Sequence, residues 1–264
     1  MRYRPVTLFT TAMLIFFGSL TAAVYAQDPE VTREPQPDDD LIAAITAENS
    51  PEIYTYPPSP DFRWSVELTI YGCTSIPVQA NETELRGYEI LTLKDAAGYD
   101  PIVIDEQITY CGERIGAEGV GFLKWSPDSR YLYYTNGRQG VPGGEGVWWP
   151  PAIRLDLQTM QSEYLGAATF SMNSRYLATI ATDNRVITLY DSTQPEPLAS
   201  FEPLIDPGIY TDLFWLTDNS GLISIEADSY VTSHLILSHI DLASLSRNIL
   251  IENDLLEKLK SPAS

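Results

Sequence analysis

The sequence predicts an all-β domain built from a repeated four-stranded unit, and three observations support that prediction. The chain resembles itself at a shift of 45 residues, which brings Trp125, Phe170 and Trp215 into register. Each copy consists of short apolar runs separated by turns rich in Ser, Asp, Asn and Pro, which is typical of antiparallel strands. The content of 44% hydrophobic and 11% aromatic residues is enough for a buried core and excludes a disordered chain.

The charge of the chain excludes several classes of partner. The 264 residues contain 36 Asp and Glu against 16 Lys and Arg, a formal net charge of −20. A nucleic-acid binder needs Lys and Arg to displace counterions from phosphates, and a protein held on anionic lipid needs a basic patch. Two cysteines are too few for a disulfide-built mini-protein, and two histidines limit His-based catalysis. We expect an acidic globular protein that binds no nucleic acid.

Residues 1–26 have the organisation of a secretory signal peptide. Arg2 and Arg4 form a positive start, residues 6–24 carry no charge, and Val24-Tyr25-Ala26 offers small or aliphatic residues for cleavage. Cleavage would leave a mature chain with a net charge of 14 − 36 = −22 and no stable membrane anchor. An uncleaved anchor is the alternative, because the apolar run is nearly long enough to span a bilayer. Either way the location is extracytoplasmic, secreted or periplasmic.

An acidic, Pro-rich segment at residues 27–51 follows the leader. Between residues 27 and 60 there are seven prolines and eight acidic residues against one Arg. Such a composition cannot bury enough apolar surface to offset the entropy of ordering, so we predict a mostly disordered spacer. Within it, three aspartates precede Leu41 to Ile45, which favours a short helix. Either the apolar face of this helix docks on the domain, or the helix forms only transiently.

The repeat is clearest at residues 122–135, where the motif Trp-Ser-Pro-Asp-Ser-Arg at 125–130 separates two apolar runs. It recurs at 167–180 and 212–225, and more weakly at 59–64. Leu132, Leu177 and Leu222 also fall in register. These copies predict two strands per repeat, A and B, joined by a turn whose side chains bond to their own backbone.

A second recurrent piece completes each repeat with two more strands, C and D. Strand C ends in an aspartate, and strand D follows a short polar loop, at 102–106, 163–166, 198–202 and 248–252. In the first repeat, strand A is expected at 52–56 and strand B at 63–71. The repeats therefore cover residues 52–252. Residues 253–264 form a short C-terminal helix and tail, in which the amphipathic segment 255–260 is expected to cap the last repeat.

The motif at 125–130 and its three weaker copies resemble the WD40-like β-propeller repeats of TolB-type periplasmic proteins. The resemblance covers about three quarters of the chain and implies four-stranded blades around a central channel. TolB-type propellers usually have six blades, whereas this chain supplies about four. A closed ring of four blades is the first expectation, and an open or dimer-completed ring is the second. The fold by itself implies no particular function.

The predicted topology places the long connections on one face. The B–C loops at 72–87 and 136–151 and the D–A connection at 111–121 share this face, and binding sites tend to lie on such loops. Cys73 opens the first of these loops and Cys111 opens the last. We therefore predict a Cys73–Cys111 disulfide, which an exported chain can keep. Two buried free thiols are the alternative.

The candidate binding residues lie in the glycine-rich stretch 136–149. Arg138, Glu145, Trp148 and Trp149 could contact a sugar or a peptide, since Trp offers a large face and one donor. The alternative is that the two tryptophans begin strand C and pack between blades. The glycine pattern lacks the Gly-Lys-Ser/Thr ending of a phosphate loop.

A carboxylate pair is the only catalytic arrangement that the sequence suggests. Glu118 and Asp212 are expected at the channel mouth, where propeller-fold glycosidases hold paired acids at set separations. His234 and His239 have an odd spacing, so in one strand they face opposite sides and cannot share a metal. No Gly-x-Ser-x-Gly elbow occurs. We predict no metal and no cofactor.

The sequence therefore predicts an exported, non-catalytic β-propeller binding module whose partner is a protein or a glycan. The alternative is a carbohydrate-active enzyme that uses carboxylates at the channel mouth. A third hypothesis, a stalk-like structural role with the acidic spacer as tether, applies if the leader stays uncleaved.

Overall fold

The computed structural model describes residues 39–79, 82–111, 119–137, 151–181, 184–205, 210–227 and 234–254, all within one compact unit that begins at Pro37. Within these ranges the chain forms one helix, α1 (Asp39–Glu48), and 15 strands. The strands are β1 (Glu52–Thr55), β2 (Trp64–Gln79), β3 (Glu82–Asp95), β4 (Ile102–Tyr110), β5 (Val120–Trp125), β6 (Tyr131–Asn136), β7 (Pro151–Asp156), β8 (Gln161–Phe170), β9 (Tyr176–Ile180), β10 (Ile187–Asp191), β11 (Pro197–Phe201), β12 (Tyr210–Trp215), β13 (Gly221–Ala227), β14 (His234–Asp241) and β15 (Ser246–Asp254).

The strands form three antiparallel sheets in which neighbours in sequence are neighbours in space. The first sheet has the order β1-β2-β3-β4, the second runs from β5 to β11, and the third has the order β12-β13-β14-β15. Repeat 1 is the first sheet and repeat 4 is the third. Repeats 2 and 3 together form the seven-stranded second sheet. The all-β prediction is therefore confirmed, and the four-stranded unit forms a separate sheet in repeats 1 and 4.

Repeats 2 and 3 share one strand where the sequence predicts two. Strand β8 pairs with β7 through residues 161–167 and with β9 through residues 167–170. It thus serves as strand D of repeat 2 and strand A of repeat 3. Gly166 lies at the change of partner with φ +89°, and a Cβ there would lie 2.5 Å from the Ile180 carbonyl oxygen. Only glycine accommodates this backbone and this close approach.

The A–B turns carry the same hydrogen bonds in successive repeats, which confirms the 45-residue register. In repeat 2, Ser126 Oγ accepts the Tyr131 amide at 2.8 Å, and Asp128 Oδ1 accepts the Arg130 amide at 3.2 Å. Repeat 1 forms the equivalent bonds from Ser59 and Asp61, and repeat 3 from Ser171 and Asn173. Short polar side chains close these turns because they bond to backbone groups that no strand satisfies.

Two tryptophans link neighbouring repeats in the same way. Trp125 Nε1 of repeat 2 donates to the Pro57 carbonyl of repeat 1 at 2.8 Å, and Trp215 Nε1 of repeat 4 donates to the Thr169 carbonyl of repeat 3 at 3.2 Å. The third residue of the register, Phe170, has no indole N–H and instead meets the ring of Tyr133 edge-on at 5.1 Å. This is the junction at which the continuous strand β8 joins the two repeats.

A buried arginine on β7 holds repeat 3 against repeat 2. The Arg154 side chain is 3% exposed, and its guanidinium donates to the carbonyls of Gln194 and Pro195 in the β10–β11 turn at 3.0 and 2.8 Å. Tyr133 Oη donates to the Ser192 carbonyl of the same turn at 2.9 Å. A buried charge is tolerated here because its donors are satisfied.

Repeat 4 carries a second buried ion pair, between Arg247 and Glu226. Arg247 also donates to the Glu202 carbonyl at 2.9 Å, and Glu226 Oε2 accepts the Leu204 amide at 2.6 Å. The Glu202 carbonyl and the Leu204 amide both belong to the connection that follows β11, so the Arg247–Glu226 pair ties repeat 4 to repeat 3. Burial lowers the pKa of the Arg247 guanidinium to about 10, which leaves it charged at neutral pH.

Residues 39–48, which the sequence places in the disordered spacer, form helix α1. The helix packs on β2 and β3, and Ile45 is fully buried. Asn49 then donates to Thr74 Oγ1 at 2.6 Å. The docked helix, one of the two alternatives for this stretch, is the arrangement in the structure, since burying Ile45 offsets the cost of ordering. No helix in the described part of the chain is long and apolar enough to cross a membrane.

The predicted loop at 72–87 is wrong. Strands β2 and β3 continue past the end of β1 as a two-stranded ribbon, in which Thr74 pairs with Arg86 and Gln79 with Glu82. Gly72, the first residue of the predicted loop, lies in a bulge between Tyr71 and Thr74, where the register shifts. Glycine inside a strand often marks a bulge, and pairing resumes beyond it.

The described sheets form an open series, so the expected closed ring of four blades is not present. Contacts join the first sheet to β5 and join β8 to β12, while all four residues of β1 are exposed. The outer face of repeat 1 mixes polar residues with the exposed apolar residues Ile53 and Val103. Ser65 stands where the other repeats have Leu132, Leu177 and Leu222, and Lys94 forms an ion pair with Glu67 beside it. A face of this mixed character gains less from covering another sheet than a wholly apolar face does.

Candidate functional site

The connections that carry the predicted binding residues leave the sheets side by side. Cys111 and Gly119 flank residues 112–118, and Gly137 and Pro151 flank residues 138–150. The Gly137 amide donates to the Gly119 carbonyl at 2.9 Å, so the end of one connection touches the start of the other. We call this region, defined by Cys111, Gly119, Gly137 and Pro151, the loop base.

The predicted disulfide fixes one end of the loop base. Cys73 in β2 and Cys111 after β4 form a disulfide with a Cα–Cα distance of 5.9 Å. The disulfide crosses β3, the strand between β2 and β4, at Gly87. A Cβ at Gly87 would lie 3.3 Å from Cys111 Sγ and 2.9 Å from Thr109 Oγ1. A disulfide persists in oxidising compartments, so the bond is consistent with an extracytoplasmic location.

Two carboxylates of repeat 1 hold the repeat 2 side of the loop base. Glu89 Oε2 accepts the Val120 amide at 2.8 Å, and Asp105 Oδ2 accepts Nδ2 of Asn136 at 2.8 Å. Val120 follows Gly119 and Asn136 precedes Gly137, so both bonds act on residues next to the loop base. Burial is the main cause that raises the pKa of the Glu89 carboxyl above its usual value.

Sequence reasoning missed Glu89 and Asp105, although a signal for Glu89 exists. Glu89, Leu91 and Leu93 alternate along β3, and both leucines are fully buried in the core between repeats 1 and 2. A carboxylate with the period of core residues indicates a buried acid with a fixed partner. The partner itself, a backbone amide 31 residues away, leaves no trace in the sequence.

The predicted site residues are only partly visible. Five of them lie outside the described residues, namely Glu118, Arg138, Glu145, Trp148 and Trp149. Asp212 is described and lies on β12 of repeat 4, in a different sheet from the loop base. It is half-buried, and its Oδ1 accepts the amide of the following residue, Leu213, at 2.9 Å. The predicted pair of Glu118 and Asp212 therefore has no described geometry.

The described side chains of the site can donate and accept hydrogen bonds, and Glu89 can exchange a proton. Glu89 Oε2 and Asp105 Oδ2 already accept hydrogen bonds from groups of repeat 2, which is a positioning role for the loop base. Among the described residues, no group of three or more His, Cys, Asp or Glu is placed to hold a metal ion.

Comparisons with known proteins gave matches among solved structures only. No protein-family model matches the chain, and no curated protein matches its sequence. Similar solved structures include a protein described as TolB from Agrobacterium tumefaciens, with 13% identity over 77% of this chain and 80% of that one and a TM-score of 0.31. Another is the β-propeller domain of the Trilobed protease from Pyrococcus furiosus, which has an open velcro topology, with 11% identity, a TM-score of 0.36, and coverage of 76% of this chain and 57% of that one.

A third similar structure is the Cps50 (Swd1) β-propeller domain from Myceliophteria thermophila, with 10% identity, a TM-score of 0.33, and coverage of 75% of this chain and 71% of that one. The solved structures to which the chain is similar are thus TolB-like and WD40 β-propellers, and they include enzymes such as a periplasmic gluconolactonase. At TM-scores below 0.5, the assignment of repeats rests on this chain's own strand pairing.

Proposed function

We propose that the chain is an exported, non-catalytic module of four propeller-type repeats that binds a protein or glycan partner with the connections above the loop base. The signal peptide (1–26), the acidic spacer before α1, the secreted or periplasmic location and the lack of a stable membrane anchor after cleavage are parts of this proposal. The observation that carries it is the Gly137–Gly119 hydrogen bond, because it brings the two long connections together.

The rest of the site supports binding over turnover. The loop base is held by a disulfide on one side and by two interrepeat carboxylate contacts on the other. Residues on loops that a rigid sheet positions are well suited to recognition. Trp148 and Trp149 would supply apolar anchors with one donor each, and Arg138 and Glu145 would supply polar contacts.

The test is binding by the mature chain, residues 27–264, to a glycan array and to an immobilised peptide library. We expect retention of one glycan or peptide class and a loss of affinity of about tenfold or more in Trp148→Ala or Trp149→Ala. Tyr99→Ala is the matched control, since Tyr99 is 74% exposed in the turn between β3 and β4, at the opposite end of repeat 1. It should bind like the wild type.

A turnover assay on the same glycans separates binding from catalysis. The proposal predicts no product above the rate of the buffer alone. Product formation that Glu118→Gln or Asp212→Asn abolishes would replace it with the carbohydrate-active enzyme.

A further inference from the structure

The two faces of each sheet have different neighbours. We call the face toward the next repeat the forward face and the one toward the preceding repeat the backward face. The forward face of repeat 3 is buried by repeat 4. Its residues pack on Leu213, Leu222 and Ile240 and are 9% exposed or less, namely Ala167, Thr169, Ala178, Ile180, Ile187 and Leu189. An interrepeat core therefore requires apolar residues on a forward face.

Repeat 4 keeps an apolar stretch on this face, beside Asp212 and His239, although no described repeat follows it. The 45-residue shift places Phe214, Ile223 and Ile225 where repeat 3 has Thr169, Ala178 and Ile180. Strand pairing sets Ile225 beside Leu237, and Leu237 beside Ile251. Phe214 is 46% and Ile251 is 48% exposed, and the residues between them are only partly buried.

The other end of the series is built differently. The backward face of repeat 1 has Ser65, Glu67 and Thr69 on β2, with the Lys94–Glu67 ion pair across to β3. The terminal repeats of stacked arrays need such a polar outer face for solubility. Repeat 1 has Ser65, Glu67 and Lys94 on this face beside the exposed Ile53 and Val103, so an apolar segment matches the forward face of repeat 4 better than repeat 1 of the same or another copy does.

We propose that the C-terminal segment 255–264 covers the forward face of repeat 4. The segment follows Asp254, the last residue of β15, which pairs with His234 at the start of β14. The neighbouring residue of β14, Leu235, pairs with Ala227 of β13, so the segment begins beside this end of the sheet. The four strands span about 14 Å. Ten residues reach up to about 33 Å when extended and about 15 Å as a helix, so either form crosses the sheet.

The chemistry of the segment matches the face. Leu255, Leu256 and Leu259 fall on one side at helical spacing, while Lys258 and Lys260 fall elsewhere. A second copy is the competing occupant, but bringing together two chains of net charge −20 is opposed by repulsion.

The test compares two pairs of aspartate substitutions in the full mature chain. Leu256→Asp with Leu259→Asp should uncover the face, lower the urea midpoint by about 1 M, and increase the fluorescence of a dye that binds apolar surface. Ser261→Asp with Ser264→Asp adds the same charge outside the apolar stripe and should change neither. Unchanged midpoint and dye binding in the leucine pair would overturn the proposal.

A crosslink locates the segment even if the leucine pair misfolds. Leu237→Cys with Leu259→Cys should form an intramolecular disulfide in the monomer, whereas Ser65→Cys with Leu259→Cys should not. Crosslinking between chains, together with a dimer mass that Leu237→Asp abolishes, would overturn the proposal in favour of a second copy.

Discussion

Gly166 marks the point where a single residue type determines how two repeats join. Its left-handed φ and its distance from the Ile180 carbonyl exclude a side chain. Gly98 has a similar φ of +81°, but a Cβ there would meet no atom within 4 Å. The two glycines therefore separate the cost of backbone strain from the cost of a clash.

We predict that Gly166→Ala lowers the free energy of unfolding by about 3 kcal/mol, from strain plus a clash, and Gly98→Ala by about 1 kcal/mol, from strain alone. Urea unfolding of both variants, followed by tryptophan fluorescence, checks this. Equal losses in the two variants would mean that β8 can shift away from Ile180 at no cost.

Glu89 is the residue whose protonation links pH to the loop base. Burial raises its pKa in the folded state, so folding favours its protonated form. The contribution of Glu89 to stability is fully present below the unfolded pKa and is lost as pH rises through the folded pKa.

Glu89→Gln keeps an acceptor for the Val120 amide and removes the titration. We expect the melting temperature of this variant, relative to wild type, to be higher at pH 7 than at pH 4. The exposed Glu48→Gln at the end of α1 removes the same charge without burial and serves as the control. A shift from wild type that is the same at both pH values would contradict the expected linkage.

At the scale of elements, the two recurrent sequence pieces belong to one unit. In repeats 1, 2 and 3 the arginine that follows the A–B turn pairs with the aspartate that ends strand C, as in Arg130 with Asp156 at 2.8 Å and Arg175 with Asp191 at 3.4 Å. Repeat 1 has the same pair, between Arg63 and Asp95. The sequence shows both pieces, but only the pairing of strands B and C brings them together.

The ribbon formed by β2 and β3 depends on the disulfide at its base. The Cys73–Cys111 bond closes a sequence separation of 38 residues. We predict that reducing it lowers the free energy of unfolding by about 3–4 kcal/mol, chiefly because the unfolded chain gains freedom.

Urea unfolding with and without dithiothreitol measures this effect. The double variant Cys73→Ser with Cys111→Ser should show a similar loss in both conditions and no response to the reductant. A wild-type midpoint that dithiothreitol leaves unchanged would show that the bond adds no stability.

At the scale of the molecule, the seven-stranded sheet should unfold as one unit. Residues Tyr131 to Tyr134, in repeat 2, are nearly inaccessible, as are Leu177 and Ala178 in repeat 3, and β8 runs through both repeats. The terminal strands β1 and β15 are largely exposed.

We predict that hydrogen exchange is slowest, and equally slow, in peptides covering β6, β7 and β9, and fastest in β1 and β15. Mass spectrometry of the exchanging protein gives these rates. Different opening free energies for β7 and β9 would mean that the chain unfolds separately on either side of Gly166.

Much of the fold can be predicted from the sequence because each repeat contains its own signals. Turn residues such as Ser126 and Asp128 bond within five residues of themselves, so their pattern predicts the A–B turns correctly. The failures are non-local. Gly72 looks like a loop residue, yet the partner strand β3 keeps the chain extended around it.

Of the loop base, the sequence predicted the disulfide and the shared face of the two connections, and it did not predict the contacts that hold them. The disulfide follows from two cysteines on one face, and the long connections follow from their composition. The contacts that hold the loop base, from Glu89 to Val120 and from Gly137 to Gly119, join residues 31 and 18 positions apart through backbone groups. Backbone groups are the same at every position, so no residue pattern predicts which of them meet.

The sequence by itself determined the all-β class, the 45-residue register and the turns, because these depend on local periodicity and on side chains that bond nearby backbone. Only the tertiary structure decided that repeats 2 and 3 share β8, that α1 docks, and that the sheets stay open. Each of these depends on which apolar face finds a partner, and Ser65 at one end and Phe214 at the other show that the two ends of the series do not match.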